Sequence, residues 1–214
     1  WSLLAMHLLL TDRLTCPRCG PPFGLVLLAS RLGDRVVDEG RLGCPNCRDS
    51  FPIEGGFADL RAPPRGDIPP GLVGAPPVQA TEDSDRLVAL LGVVSGPGTV
   101  ALVGEPARYA SAVTATSDDI HVVGVDADLR AWPEAPGVSR LVAAPGLPFF
   151  GSTLRAVAVD GRLGAAWVTE AARCVVPRGR VVVTRATEEA EDVLRTAGLS
   201  VLAAEAETVV AARG

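Results

Sequence analysis

This sequence of 214 residues contains no lysine, because all 20 of its basic residues are arginine. The lack of an amine side chain excludes Schiff-base chemistry, a P-loop lysine and a lysine general base. The only two histidines, His7 and His121, lie far apart along the chain, which argues against a histidine-dependent hydrolase or a histidine-rich metal site. Aromatic residues make up 4% of the chain, and we interpret Trp132 and Trp167 as packing residues rather than as a base-stacking platform.

Basic charge and long apolar runs are also scarce. The formal net charge of −5 argues against a broad basic surface, so RNA remains an open partner that the charge does not support. The apolar opening WSLLAMHLLL is too short to span a bilayer, and it has neither a basic leader nor a small-residue cleavage site. With 48% hydrophobic and 21% charged residues, we expect a globular protein of the cytoplasm with no membrane partner.

Proline and glycine are concentrated in one segment. Residues 61–81 hold six prolines and three glycines, a density that disfavours helices and central strands. The sequence therefore predicts a cysteine-bearing domain over residues 1–60, a linker over 61–81 and a second domain over 82–214. The acidic balance belongs to the second domain, which has 17 acidic residues against 12 arginines.

The second domain alternates valine-rich apolar runs with helix-like segments. Strands are predicted at 99–104, 120–125, 140–144, 154–160, 179–184, 199–204 and 208–212. Helices are predicted at 82–94, 106–115, 165–174 and 188–197. This alternation predicts an α/β fold with a parallel sheet and right-handed crossovers, closed by a terminal hairpin.

Four of the five cysteines form two pairs with the spacing of metal-binding knuckles. Cys16 and Cys19 lie in CPRCG, and Cys44 and Cys47 lie in CPNCR. Two residues between cysteines allow both sulfurs to face one ion, and two such knuckles complete a tetrahedral shell of four thiolates. We therefore predict a structural zinc site, with redox dithiols and a rubredoxin-like iron site as alternatives. Cys174 stands alone, and we interpret it as a small buried apolar group.

The text around the knuckles resembles a known family. DRLTCPRCG opens the segment and LGCPNCRDSFPIEGGFADLR closes it, with an aromatic-Pro-Ile step, a glycine turn and an exit strand that ends at Leu60. Residues 12–61 resemble the small zinc-ribbon family of methyltransferase activators, and also the zinc domain that precedes some bacterial ribosomal RNA guanine methyltransferases. The resemblance implies a zinc-ribbon domain that contacts a protein partner.

Residues 82–214 resemble class I S-adenosylmethionine-dependent methyltransferases in three places. These are VVGVDAD, LPFFGSTLRAVAVDG and EAARCVVPRGRVVVT, and the last of them is the most specific match. The resemblance implies a Rossmann-like methyltransferase sheet with S-adenosylmethionine as the cofactor. It also implies that Asp126 hydrogen-bonds the ribose hydroxyls of that cofactor.

The loop after the first strand of this domain departs from the family pattern. Gly104 matches the first glycine of the family's glycine-rich turn, but Glu105, Pro106 and Ala107 replace the rest, and Pro106 removes an amide donor. The acidic residue that the family commonly has before the fourth strand is also missing. If the cofactor binds, the resemblance implies contacts from Gly104, Glu105 and Asp126. No catalytic residue is assigned, because Asp160 is as well suited to capping the next helix as to orienting a nucleophile.

Three functions are compatible with these features. The favoured one is a degenerate methyltransferase-like protein with weak or no use of S-adenosylmethionine, which works as a binding or assembly module. The second is an active methyltransferase that acts on RNA or a small molecule. The third is a zinc-ribbon interaction protein with a supporting α/β domain. A Rossmann dehydrogenase is less favoured, since the G-x-G-x-x-G fingerprint is absent.

Overall fold

The structure of the protein is a computed structural model that describes residues 6–71, 80–93, 95–127, 129–130, 132 and 135–214. The first five residues of the apolar opening lie outside this set. Residues 72–79, which form the second half of the predicted linker, also lie outside it.

Residues 6–61 form a mainly β unit around the two cysteine knuckles. Its elements are β1 (Met6–His7), α1 (Leu8–Thr11), β2 (Thr15–Cys16), β3 (Gly20–Gly24), β4 (Val26–Gly33), β5 (Val36–Gly43), β6 (Ser50–Glu54) and β7 (Phe57–Arg61). β5 lies at the centre and pairs antiparallel with β1, β4 and β6. The predicted exit strand is β7, which extends one residue beyond Leu60.

Residues 82–214 alternate strands and helices as predicted. The strands are β8 (Gly98–Val103), β9 (Ile120–Val125), β10 (Val138–Ala144), β11 (Leu154–Asp160), β12 (Val175–Thr184), β13 (Leu199–Glu205) and β14 (Thr208–Arg213). The helices are α2 (Glu82–Leu91), α3 (Ala110–Thr114), α4 (Ala165–Cys174) and α5 (Ala190–Thr196), with 3₁₀ helices at Glu105–Tyr109 and Gly161–Leu163. The prediction of one helix over 106–115 is wrong in form, because a 3₁₀ helix with a proline in its first turn precedes the short α3.

The bounds of α2 follow from its capping residues. The Thr81 side chain accepts a hydrogen bond from the Ser84 amide while the Ser84 side chain accepts one from the Thr81 amide, which is a capping box. Gly92 ends the helix in the left-handed conformation, with φ 65°. α2 and α4 have ten residues each, and no helix of the described part of the chain is long and apolar enough to cross a membrane.

The central sheet has the mixed α/β topology that was predicted. β10, β9, β8, β11 and β12 are parallel neighbours in that order, and β14 and β13 follow as antiparallel strands. Helices cover both faces, since Val100 and Leu102 of β8 face the core shared with α2 and α3, whereas Ala101 and Val103 face the core shared with α4 and α5.

The cysteine-bearing unit joins this sheet directly. β7 pairs in parallel with β10, from Phe57 beside Arg140 to Arg61 beside Ala144, so 12 of the 14 described strands form one sheet. β2 and β3 pair with each other apart from it. Buried residues of the two parts also share one hydrophobic cluster, in which Phe51 and Ile53 belong to the same core as α4. The boundaries 1–60, 61–81 and 82–214 stay predictions, but the sheet continues across residue 61.

Candidate functional site

The four knuckle cysteines converge on one point. The distance between the Cys16 and Cys47 sulfurs is 3.7 Å and that between the Cys44 and Cys19 sulfurs is 3.9 Å, and all four lie within 4.8 Å of one another. Zinc–sulfur bonds of about 2.3 Å in a tetrahedron place sulfurs about 3.8 Å apart. The sulfurs are too far apart for disulfides, which need about 2.05 Å. The cluster therefore has the geometry of a four-thiolate metal site.

Polar groups around the cluster stabilise thiolates. The Cys19 amide donates to the Cys16 sulfur at 3.4 Å, and the Asn46 side-chain amide donates to the Cys19 sulfur at 3.2 Å. Burial alone would raise the pKa of the Cys44 thiol, but the amides of Cys47 and Asn46 bring that pKa down to about 7. These donors are what a metal-binding thiolate needs from its surroundings. Burial raises the pKa of Cys16 and raises that of Cys47 to about 12, so without a metal the cluster does not hold four thiolates at neutral pH.

The first loop of the α/β sheet directs its amides inward. The Gly104 amide donates to the Val125 carbonyl at 2.8 Å, and the Ala107 amide donates to the Gly104 carbonyl at 2.9 Å. The Glu105 amide faces the Asp160 carboxylate, and Pro106 has no amide hydrogen. The loop is also packed tightly, since a Cβ on Gly104 would lie 2.9 Å from the Cβ of Asp160. Gly104 is thus needed for close packing within the chain.

Asp160 is a buried structural carboxylate. Its side chain is fully shielded from solvent, and it accepts hydrogen bonds from the amide and the guanidinium of Arg162 at 3.0 Å. Burial alone would raise the pKa of Asp160, but Arg162 and the Glu105 amide hold it below its usual value. Of the two roles considered for Asp160, the geometry matches the cap, because this carboxylate caps the 3₁₀ helix Gly161–Leu163.

Asp126 follows β9, as the resemblance implies, but it is 9% exposed. One carboxylate oxygen accepts a hydrogen bond from the Ala127 amide at 2.7 Å. Gly71 packs against the other oxygen so closely that a Cβ on Gly71 would lie 2.6 Å from it. A segment of the predicted linker therefore covers the carboxylate that the resemblance assigns to the cofactor ribose.

The segment that carries Gly71, residues 61–71, is here called the strap, and Arg61 anchors it. The Arg61 guanidinium is buried and pairs with both carboxylate oxygens of Asp59, at 2.9 and 2.8 Å. It also donates to the carbonyls of Arg65, Gly66 and Asp67 at 3.0, 3.1 and 2.9 Å. One side chain thus fixes the start of the strap to β7.

The EAAR segment, residues 170–173 of α4, binds the loop before β11 through its two charged side chains. Glu170 accepts the Leu147 amide at 3.2 Å, and Arg173 donates to the carbonyls of Leu147 and Phe149 at 3.0 and 2.7 Å. Arg173 also pairs with Glu170 at 2.8 Å. The most specific part of the sequence resemblance therefore has a structural role here, because its Glu170 carboxylate lies against the loop of residues 143–149 and is bonded to the Leu147 amide and to Arg173.

The two histidines, far apart in sequence, meet in the fold. Their rings lie 4.7 Å apart, the Ser139 hydroxyl is 2.8 Å from a His121 ring nitrogen, and the same hydroxyl accepts the His7 amide at 2.9 Å. Burial, with His7 and Arg13 nearby, lowers the pKa of His121 to about 3. Ser139 is 1% exposed, so this serine–histidine contact is closed to substrates, and it joins β1 to β9 and β10.

A protein-family model and several solved structures each resemble part of this chain. Residues 7–56 match the family model of Trm112p-like proteins, a span that contains all four knuckle cysteines. We call the unit of residues 6–61 the Trm112p-like domain, because residues 7–56 are similar to that family. No curated protein sequence matches the chain at a significant level.

Solved structures share the α/β fold over about three fifths of the chain. A geranyl diphosphate methyltransferase in complex with S-adenosylmethionine has 12% identity and a TM-score of 0.51, over 62% of this chain and 84% of that one. Precorrin-6y C5,15-methyltransferase from Geobacter metallireducens has 13% identity and a TM-score of 0.50, over 64% and 90%. A chain from a complex containing the Haloferax volcanii Trm112 methyltransferase activator has 19% identity and a TM-score of 0.44, over 58% and 80%. The predicted methyltransferase-like fold with an N-terminal zinc-ribbon-type domain is therefore confirmed.

Several features of the site gave no signal in the sequence. Gly71 covers Asp126, and Asp160 receives the Glu105 amide. Ser139 contacts both histidines. Each of these pairs is distant along the chain. Only Pro106, within the loop itself, pointed to the altered first loop.

Proposed function

We propose that this protein is a degenerate methyltransferase-like scaffold that makes weak or no use of S-adenosylmethionine and works as a binding or assembly module. The observation that carries the proposal is the inward direction of the first-loop amides. The Gly104 and Ala107 amides are bonded within the chain, and Pro106 has none. A cofactor bound at this loop would find no amide of these residues to receive it.

The charge at the same edge supports this proposal. The Arg162 guanidinium pairs with Asp160, and the nearby carboxylates of Glu105 and Asp126 contribute to raising its pKa. These acids therefore already stabilise a cation of the chain itself. A cofactor sulfonium at this edge would have to share these carboxylates with Arg162.

We infer that the metal of the Trm112p-like domain is zinc and that its role is structural. Cys16, Cys19, Cys44 and Cys47 would be its ligands, and four thiolates leave no open position for water or substrate. A closed shell supplies folding energy to a domain whose own core is small.

We infer that the partner is a protein that docks on the Trm112p-like domain. Within the described residues, five of the six exposed large apolar side chains belong to it: Leu9, Phe23, Val26, Leu28 and Leu32. β4 pairs only with β5 among the described strands, so its other edge offers main-chain groups to an added strand. Residues 1–60 hold six arginines against seven acids, a balance that gives RNA no electrostatic advantage.

The second candidate is an active methyltransferase, and the position of Asp126 favours it. This carboxylate follows β9, where the family resemblance requires it, and Gly71 of the strap packs against one of its oxygens. An active enzyme would have to withdraw the strap and turn the first-loop amides outward.

Calorimetric titration with S-adenosylmethionine and S-adenosylhomocysteine decides between the two candidates. We expect no heat and no thermal shift at millimolar ligand, for the wild type and for Asp126→Ala alike. Ligand at 100 times its dissociation constant would stabilise a binding protein by about 2.7 kcal/mol. Such stabilisation, lost in Asp126→Ala and kept in the exposed control Asp118→Ala, would overturn the degenerate assignment.

A strap variant separates a covered site from a lost one. Arg61→Leu removes the anchor of the strap, and circular dichroism establishes that the variant is folded. We expect this variant to bind no S-adenosylmethionine, because the first-loop amides still point inward. Binding that appears only in Arg61→Leu would assign the loss to the strap and support the active enzyme.

A further inference from the structure

A second recess lies at the carboxyl ends of β8 and β12. It is a cleft of about 540 Å³, lined by α2, the 3₁₀ helix Glu105–Tyr109, the end of β12 and the turn between β13 and β14. Asp126 does not line it, and Glu105 is the one cofactor candidate that does. Ligands of parallel α/β sheets bind outside the carboxyl ends of the strands, which is where this cleft opens.

The apolar part of the cleft comes from two elements. Leu87 and Leu90, three residues apart on α2, lie on the same helix face, and Pro106 and Tyr109 add the surface of the 3₁₀ helix. Leu87 is 4% exposed, so this surface is fixed by the core beneath it. The combination suits a flat, apolar molecular body.

The polar part of the cleft carries both signs of charge, from the carboxylates of Asp83, Glu105 and Glu207 and the guanidiniums of Arg86 and Arg185. Arg86 on α2 and Arg185 after β12 form no ion pair with any carboxylate of the described residues. The Thr184 hydroxyl is shielded from solvent and has no hydrogen-bond partner within the described part of the chain. Because this atom is not accessible to solvent, the donor groups of the cleft that can face a ligand are the two guanidiniums and the Tyr109 phenol.

Tyr109 adds a further donor. Burial raises the pKa of its phenol, and the carboxylates of Glu105 and Asp83 raise it further, so the hydroxyl stays protonated. Arg108 stacks on the ring, with its guanidinium carbon 5.5 Å from the ring centre, and also lies 3.7 Å from Glu105. The charge of Glu105 is thereby offset by a neighbour on the same helix.

We propose that this cleft binds a small organic carboxylate whose flat apolar body packs on Leu87, Leu90 and Pro106. Arg86 and Arg185 bind the carboxylate, because a guanidinium presents paired donors that match its two oxygens. The Tyr109 phenol lines the same cleft as an additional hydrogen-bond donor. The site goes beyond the proposed function, since it needs neither S-adenosylmethionine nor a protein partner.

The probe is 2-naphthoate, titrated into the zinc-loaded full chain at pH 7 by calorimetry and by NMR. Two ligands of the same shape serve as controls, the neutral 2-naphthylmethanol and the cationic 2-naphthylmethylamine. We expect the carboxylate to bind about tenfold more tightly than the alcohol, and the amine to bind most weakly. Equal binding of all three ligands, tighter binding of the amine, or no binding of 2-naphthoate would overturn the proposal.

Matched arginine variants locate the binding. Arg86→Gln and Arg185→Gln should each weaken 2-naphthoate about tenfold and leave the alcohol unchanged. Arg178→Gln is the control, because Arg178 is also exposed, lies in β12 and has a positive φ of 64°, comparable to 48° at Arg185. Equal affinities in all three variants would overturn the assignment of the carboxylate to Arg86 and Arg185. Saturating S-adenosylmethionine should leave the affinity for 2-naphthoate unchanged. Competition between the two ligands would show that this cleft is not separate from the edge of the sheet that carries Gly104 and Asp126.

Discussion

The two chemical sites of this chain differ in what their polar groups face. In the Trm112p-like domain, four sulfurs converge at the spacing of a tetrahedral metal shell. At the edge of the methyltransferase-like sheet, the first-loop amides, Asp126 and Asp160 converge on other parts of the chain instead. The sulfurs of the first site face one another, whereas the polar groups of the second face other parts of the chain.

This difference shows that the presence of a sequence motif does not by itself establish the binding site that the motif usually forms. Asp126 and the EAAR segment are both present, yet Gly71 covers Asp126, and the EAAR segment is hydrogen-bonded to the loop before β11. The cysteine knuckles cannot take such a purely structural role without a metal, because four thiolates held close together repel one another. The comparison therefore predicts that removing metal harms the protein greatly, and that removing the strap contacts harms it less.

The largest effect is expected from loss of the metal. Because β7 pairs with β10 and both parts share one core, chelation or Cys19→Ala should destabilise the whole chain and not the Trm112p-like domain alone. We expect a fall in Tm of about 10 °C or more, in a single transition. Metal content by atomic emission and thermal unfolding by circular dichroism measure it.

The matched control is Cys174→Ala, which removes a buried thiol outside the cluster. It should keep one zinc per chain and lower the Tm by a few degrees only. A second transition that keeps its Tm after chelation would show that the two parts unfold independently, and it would contradict the continuous sheet.

The sequence predicts the fold well because its signals are local. The valine-rich runs that became β9 and β11 match the predicted bounds residue for residue, and so does α4. Periodicity and punctuation by glycine and proline act within a few residues, so they can be identified without a structure. The two C-x₂-C knuckles are local in the same sense, and the structure brings their four sulfurs together as expected, while their binding of a metal stays a prediction.

The cofactor edge could not be predicted to the same depth, since its contacts are long-range. Asp126 is 55 positions from Gly71, and Gly104 is 56 positions from Asp160. The parallel pairing of β7 with β10 is what brings the strap to this edge, and no residue of β7 alone signals its partner. Pro106 indicated a weakened loop, but the direction of the neighbouring amides required the fold.

The next largest effect is expected at the anchor of the strap. Arg61→Leu leaves the mostly buried Asp59 carboxylate without its guanidinium, so we expect a loss of about 3 kcal/mol in the free energy of unfolding by urea. The double variant Asp59→Leu/Arg61→Leu removes both charges and should cost less than the single one. A double variant that costs more than Arg61→Leu would show that packing, and not the buried ion pair, holds the strap.

The smallest of these effects is a pH dependence at the joint between the two parts. The folded pKa of His121, about 3, lies below the unfolded value near 6.5, so folding favours the neutral ring. Stability is therefore full above pH 6.5 and falls as the pH drops from 6.5 towards 3, because only the unfolded chain gains the proton. Between pH 7 and pH 5 this should remove about 2 kcal/mol from the free energy of unfolding.

His121→Gln isolates this term, because glutamine can still hydrogen-bond Ser139 and does not titrate. Acid also protonates the thiolates and weakens metal binding, but it does so in both proteins, so the difference between their stability curves reports His121 alone. Urea unfolding at half-unit steps from pH 7 to pH 5 gives both curves. Parallel curves would mean that His121 is solvated in the folded chain and that the joint between β1, β9 and β10 is looser than its hydrogen bonds indicate.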